Sequence, residues 1–306
     1  MTPARARRTD SFFIVCALVS FFSLFAASTW AHPSSGIVVD RAGQVFFTDL
    51  ARGLLKIDTR GMVTTVSKEG GHWLALDETG SFSRVNFAAS PHWPRWFKRR
   101  TPAGVRPALI TDGGSPLVIG PDGNLYFACD DERMIPGGLQ IGRLSAAGQE
   151  SLLNSDMRKV SEDLGGIKGL AFGPDGSLYA TYPKAILKIR IDGKITTLAN
   201  PVVVKDCELN VRKDLAPFLR GVAVDSRGMV YVAASGCGSV IKIAPDGQVT
   251  TVLKADKPWA PSGVAVHDGE VYVLEHVDPN SETHQAWPPR VRKLERGGKV
   301  RTLLTY

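Results

Sequence analysis

No compact catalytic signature stands in this chain of 306 residues. It has no nucleophile elbow, no zinc-ligand spacing and no phosphate loop, so any chemistry must come from scattered side chains. Lys168 and Arg220 could together hold an anionic or carbonyl oxygen, Arg220 with two parallel N–H donors. Asp49 and Glu275 are carboxylates that could raise one another's pKa or share a cation, with Asn86 as a further oxygen donor. His72 and His276 could act as general bases near neutral pH. These residues are far apart in sequence, so a fold must gather them before any of this chemistry exists.

A repeat supplies that fold. A small residue opens an apolar alternating run, a D-x-x-G or P-D-G turn follows, and a second apolar run closes the unit. Copies span residues 36–49, 116–129, 169–182, 221–234 and 263–275, with a weaker one at 73–86. Asp and Gly tolerate the positive φ of tight hairpin turns, and a hydrophobic period of two marks strands. A second hairpin follows most copies, clearest at 54–66, 186–198, 240–252 and 291–303.

Each unit therefore reads as four short antiparallel strands. A lone four-stranded sheet cannot bury both of its faces, whereas radial stacking lets each sheet cover its neighbours. Six units at roughly forty-residue spacing predict an all-β, six-bladed β-propeller. The expected blades are approximately 33–68, 71–112, 114–155, 166–200, 219–255 and 261–306, within one domain over 32–306. Every unit starts at its innermost strand, so the first and sixth blades should close the ring by face packing, with no exchanged strand.

The innermost strand of each blade lines the channel. Its entry positions are Ser35, His72, Ser115, Lys168, Arg220 and Ser262. The second strand should end at Asp49, Asn86, Cys129, Tyr182, Ala234 and Glu275, with Asp130 and His276 one step further on. These two rings are the candidate ligand-binding surface: Asp49, Asn86, Lys168, Tyr182, Arg220 and Glu275, with His72 and His276 as bases. A wet channel is polar with or without a ligand, so a simple solvated lining stands beside the binding reading.

The run Gly169-Leu170-Ala171-Phe172, then Pro174-Asp175-Gly176 and Leu178-Tyr179, with Lys188-Ile189, Asp192-Gly193 and Ile195-Thr196-Thr197 after it, resembles NHL-repeat proteins. It also resembles the superfamily of SMP-30/gluconolactonase and strictosidine-synthase-like propellers, over nearly all of residues 33–306. That superfamily includes lactonases, lyases, receptors and scaffolds, so the resemblance implies fold more strongly than activity. Its lactonases hold a divalent metal in the channel on a Glu, two Asn and an Asp, one Asn opening an Asn-Gly-[Ile/Leu]-Ala motif. Here Lys168 stands at that place, Arg220 at the next blade's entry and Ser262 at the sixth. A fixed ammonium opposes a dication, which leaves Asp49, Asn86 and Glu275 as donors for a displaced calcium or zinc site.

Residues 1–31 read as a signal peptide. Arg5, Arg7 and Arg8 precede an apolar run over 12–25, and Thr29 and Ala31 suit cleavage before His32. The alternative is an uncleaved N-terminal anchor, the one membrane contact the sequence offers. Losing three arginines and Asp10 with this segment lowers the net charge from +7 to +5, mildly basic and without a nucleic-acid-binding block. A periplasmic or secreted location would let Cys207 and Cys237 form a disulfide, closing a loop whose chain entropy is worth about 3–4 kcal/mol. Cys129 then reads as a small buried hydrophobe.

The aromatic, basic run 92–100 fits a strand with inter-blade aromatics better than a recognition patch, and His32, His92, His267 and His284 lack metal-ligand spacing. The loop 277–290 is long enough to lid the channel or to meet a protein partner. Three functions follow as expectations. The first is an exported propeller that binds a small polar or anionic molecule in its channel. The second is a metal-dependent hydrolase of lactone or ester bonds, and the third a protein-binding platform on the loop face.

Overall fold

The computed structural model describes residues 33–87, 97–100, 108–112, 114–129, 140–153, 166–207, 216–277 and 288–306. All of them belong to one compact unit, His32–Tyr306. His92, Asp130, His284 and residues 278–287 of the long loop lie outside the described residues.

The strands form six sheets. Blade one holds β1 (Ile37–Val39), β2 (Val45–Asp49), β3 (Gly53–Ile57) and β4 (Val63–Ser67). Blade two holds β5 (Trp73–Asp77), β6 (Lys98–Arg100) and β7 (Ala108–Asp112). Blade three holds β8 (Leu117–Ile119), β9 (Leu125–Cys129), β10 (Gln140–Leu144) and β11 (Glu150–Leu152). Blade four holds β12 (Gly169–Phe172), β13 (Leu178–Thr181), β14 (Ile186–Ile189) and β15 (Ile195–Ala199). Blade five holds β16 (Leu219–Val224), β17 (Val230–Ala234), β18 (Ser239–Ile243) and β19 (Val249–Lys254). Blade six holds β20 (Trp259–His267), β21 (Glu270–Val277), β22 (Pro289–Leu294) and β23 (Val300–Thr305). Five blades are antiparallel meanders, each beginning at its innermost strand.

Packing follows from the two-residue period. Adjacent side chains on a strand point to opposite blade faces, so both must be apolar when both faces are covered. Phe46 packs with Leu54, Leu74 and Leu109 between blades one and two, while its neighbour Phe47 packs with Ile37, Tyr272 and Leu274 between blades one and six. The buried apolar residues described fall into six clusters, one for each pair of neighbouring blades. The ring thus closes by packing of blade one on blade six, as the repeat phase requires.

Two glycines show how tightly the innermost strands converge. A Cβ on Gly221 would stand 2.7 Å from the Gly263 Cα, and one on Gly263 would stand 2.4 Å from the Ser35 carbonyl oxygen. Any side chain at either place would push neighbouring blades apart.

Blade two departs from the expected order. Residues 81–86 form no strand. The Asp77 carboxylate accepts the amides of Ser81 and Phe82, and Phe82 and Val85 are joined by a turn hydrogen bond. Their spacing of three suits a turn, not an alternating strand. The place beside β5 is taken by β7, with Trp73 opposite Asp112 and Asp77 opposite Ala108, and β6 lies beyond it. Asn86 is consequently exposed in the loop after β5, and Asp112 holds the strand-end position that the repeat assigned to it. Phe97 enters the core between blades two and three, edge-on to Phe127 at 4.9 Å, and the buried Cys129 belongs to the same cluster.

Cys207 and Cys237 are joined in a disulfide, with their Cα atoms 4.8 Å apart. It ties the connection after β15 to the short 3-10 turn Ser235–Cys237 that follows β17.

Candidate functional site

The innermost strands bring one group of predicted residues together and send another away. Arg220, the second residue of β16, is buried at 6 % exposure. Its Nε donates to Ser35 Oγ at 3.2 Å and its Nη2 to the Pro33 carbonyl. A residue of blade five thereby grips the segment that leads into blade one. Pro33, Ser34 and Ser35 are themselves buried, and Ser34 Oγ donates to the Thr48 carbonyl. Burial pushes the Arg220 pKa down to about 10, which still leaves the guanidinium charged at neutral pH.

His276 on β21 is 2 % exposed, and its Nδ1 lies 3.1 Å from Ser262 Oγ. Burial, with the Arg220 charge and then His72, pushes its pKa down to about 3. Its ring is neutral across the physiological range. Ser262 Oγ also lies 3.3 Å from the Leu274 carbonyl oxygen, which can only accept. When the hydroxyl proton goes to that carbonyl, Nδ1–H donates to Oγ and Nε2 keeps its lone pair, a hydrogen-bond acceptor too weakly basic to serve as the general base expected from the sequence.

His72 sits half-buried at the same level. Its carbonyl accepts the amides of Ser35 and Gly36 at 2.8 and 2.9 Å, and its amide donates to the Asp112 carbonyl at 2.9 Å. It stitches blades one and two at the channel's edge. Lys168 is half-buried at the entry of blade four, with its amide on the Thr181 carbonyl at 2.7 Å. Thr181 Oγ1 donates to the Arg220 carbonyl at 2.6 Å and joins blades four and five there.

Glu275 lies one residue from His276, and strand alternation turns it to the other face. Fully buried, its carboxylate accepts from Arg290 Nε at 2.6 Å and from Arg292 Nε at 3.1 Å and Nη2. Arg290 continues to Asp256 at 2.8 Å and lies over the Trp259 ring at 4.5 Å. Asp49 is also buried, accepting the amides of Ala51 and Arg52 at 3.1 and 2.6 Å in the turn after β2. Tyr182 packs in the cluster between blades three and four, and burial raises its phenol pKa, so it stays protonated.

Asp112, which the repeat reading missed, repeats the Asp49 arrangement. Its Oδ1 accepts the amides of Gly114 and Ser115, the latter at 2.8 Å. The signal was present in the Thr-Asp ending shared by Phe47-Thr48-Asp49 and Ile110-Thr111-Asp112. Among the described residues no three His, Cys, Asp or Glu side chains converge in a way that could hold a metal ion. The expected donors Asp49 and Glu275 are engaged by turn amides and by two guanidinium groups, and Asn86 is outside the strands. This donor set does not fit a divalent cation.

A family model for the SMP-30/Gluconolactonase/LRE-like region matches residues 112–270, slightly more than half of the sequence. The chain belongs to this family. The SMP-30/gluconolactonase-like assignment agrees with solved structures that share the fold. A gluconolactonase from Xanthomonas campestris is 16 % identical, with 79 % of this chain and 83 % of that chain covered at a TM-score of 0.51. A calcium-binding protein, regucalcin, from Agrobacterium tumefaciens is 15 % identical, covering 82 % and 85 % at 0.51. A luciferin-regenerating enzyme is 14 % identical, covering 85 % and 91 % at 0.52. At these identities the likeness is one of fold alone. No curated protein matches the sequence.

Proposed function

We propose that this SMP-30/gluconolactonase-like propeller binds a small polar or anionic ligand at the end of its channel where Arg220, His72 and His276 meet. The observation that carries this reading is the pairing of a buried guanidinium with a neighbouring imidazole held neutral. A cation in a low-dielectric site attracts a carboxylate or a polarised carbonyl far more than it would in water. Lys168 from the adjacent blade adds a second cation at the rim. A neutral His276 adds no competing charge and offers one acceptor nitrogen, which suits a ligand bearing hydroxyl groups beside its anion. The disulfide and the leader-like residues 1–31 support an exported protein.

Lactone hydrolysis with a divalent cation is the second reading, favoured by the family and by the gluconolactonase and calcium-binding neighbours. It needs oxygen donors beyond those described above. A thermal-shift screen of small hydroxy acids and lactones, run with and without EDTA, separates the two. The proposed reading expects stabilisation by hydroxy-acid anions that survives EDTA and disappears in Arg220→Gln. Calcium- or zinc-dependent turnover of a lactone, abolished by EDTA and indifferent to Arg220→Gln, would replace it with the hydrolase.

A further inference from the structure

Three blades carry the same small device on the face away from Arg220. An aromatic Tyr on the second strand, a Lys directly opposite on the third, and an acid at the turn form a local group. In blade four, Lys188 pairs with Asp175 at 2.6 Å and lies 5.6 Å from the centre of the Tyr179 ring. In blade six, Lys293 pairs with Glu270 at 3.0 Å and lies 5.9 Å from the Tyr272 ring. In blade five, Tyr231 stands opposite Lys242, but the turn acid Asp225 is taken by Arg227 at 3.2 Å. Asp225 also accepts the amides of Arg227 and Met229, both at 2.9 Å. Among the described residues the Lys242 ammonium has no ion pair or hydrogen bond.

That ammonium lines a cleft of about 900 Å³ between blades five and six. The volume is within the range of small-molecule sites. Val252, Val266 and Leu294, partly buried against the core between these blades, supply an apolar wall. Asp225, Asp268 and Glu295 also line the cleft, with Arg227 and Arg296 among them.

We propose that this cleft is a second binding site, for a small amphipathic monocarboxylate, with the carboxylate on Lys242 and the aliphatic chain along Val252, Val266 and Leu294. The lysine that the repeat elsewhere neutralises is here left to meet an anion from solution, beside apolar surface that gains by covering. The site is separate from the channel and stands whether or not the channel reading holds.

Calorimetric titration of the purified protein with octanoate tests it. Saturable one-to-one binding is expected, weakened about tenfold or more in Lys242→Gln and retained in Lys242→Arg. Lys188→Gln, which alters the neutralised counterpart in blade four, leaves octanoate binding unchanged, and octan-1-ol binds far more weakly than octanoate. The absence of saturable octanoate binding, or equal binding by wild type and a Lys242→Gln variant with an unchanged melting curve, overturns the proposal. So does an equal loss in Lys188→Gln.

Discussion

Arg220 of the fifth blade hydrogen-bonds Ser35 of the first at 3.2 Å, joining residues 185 positions apart in the chain. The contact crosses the ring without passing through a neighbouring blade face, so it belongs to the channel end and not to the inter-blade core. It gives Arg220 two roles, a clasp on the segment entering blade one and a buried positive charge beside His276.

Replacing Arg220 by Gln should remove both. The Pro33 carbonyl and Ser35 hydroxyl would lose their donors in a buried place, at a cost of about 1–3 kcal/mol. Urea unfolding of the variant measures this. The same variant should lose the stabilisation by hydroxy-acid anions, whereas Arg60→Gln, an exposed change in the turn after β3, should retain it.

His276 makes stability depend on acid. Its folded pKa lies near 3 and its unfolded value near 6.5. Between these values the unfolded chain binds the extra proton, so stability rises with pH across that window and falls on acidification. The slope from this one group is about 1.4 kcal/mol per pH unit. Denaturation midpoints at pH 4, 5, 6 and 7 should show that trend, and His276→Gln should flatten it. An unchanged pH profile in the variant would assign the trend to other groups.

Glu275 is expected to matter for folding more than for ligands. Glu275→Gln leaves Arg290 and Arg292 facing a neutral amide in a buried place. The expected loss is about 3–5 kcal/mol, read by denaturant unfolding, with metal content unchanged. A variant of native stability that loses a bound cation would instead make Glu275 a metal ligand.

The disulfide closes a loop across the connection between blades four and five. Cys207→Ser with Cys237→Ser should destabilise the protein by about 3–4 kcal/mol, measured against wild type under oxidising conditions. Reduction of the wild type should give a similar shift, and Cys129 contributes nothing to it.

Blade number and ring closure were legible because each repeat carries the same alternation and the same turn chemistry, as in Pro121-Asp122-Gly123 and Pro174-Asp175-Gly176. Blade two was not, because Phe82 and Val85 replace alternation with a spacing of three and the Asp77 carboxylate winds the chain back on itself. At the site, entry positions such as Arg220 and His72 were readable from repeat phase alone. Strand-end residues were not, since one step along β21 separates His276, which faces Ser262, from Glu275, which faces two arginines. The bulge between Pro261 and Gly263 lies opposite this place, so counting by twos does not assign the face. The grip of Arg220 on Pro33 and Ser35 had no sequence signal, because nothing in a repeat tells where the leading segment runs.

At the channel end a desolvated Arg220 stands beside a neutral His276. Side-chain ¹⁵N spectra of histidine-labelled protein, with His276 assigned from the His276→Gln variant, test it most directly. His276 is expected to stay neutral from pH 7 down to pH 4, and its protonation to move to higher pH in Arg220→Gln. Titration of His276 near pH 6.5 in both proteins would contradict it.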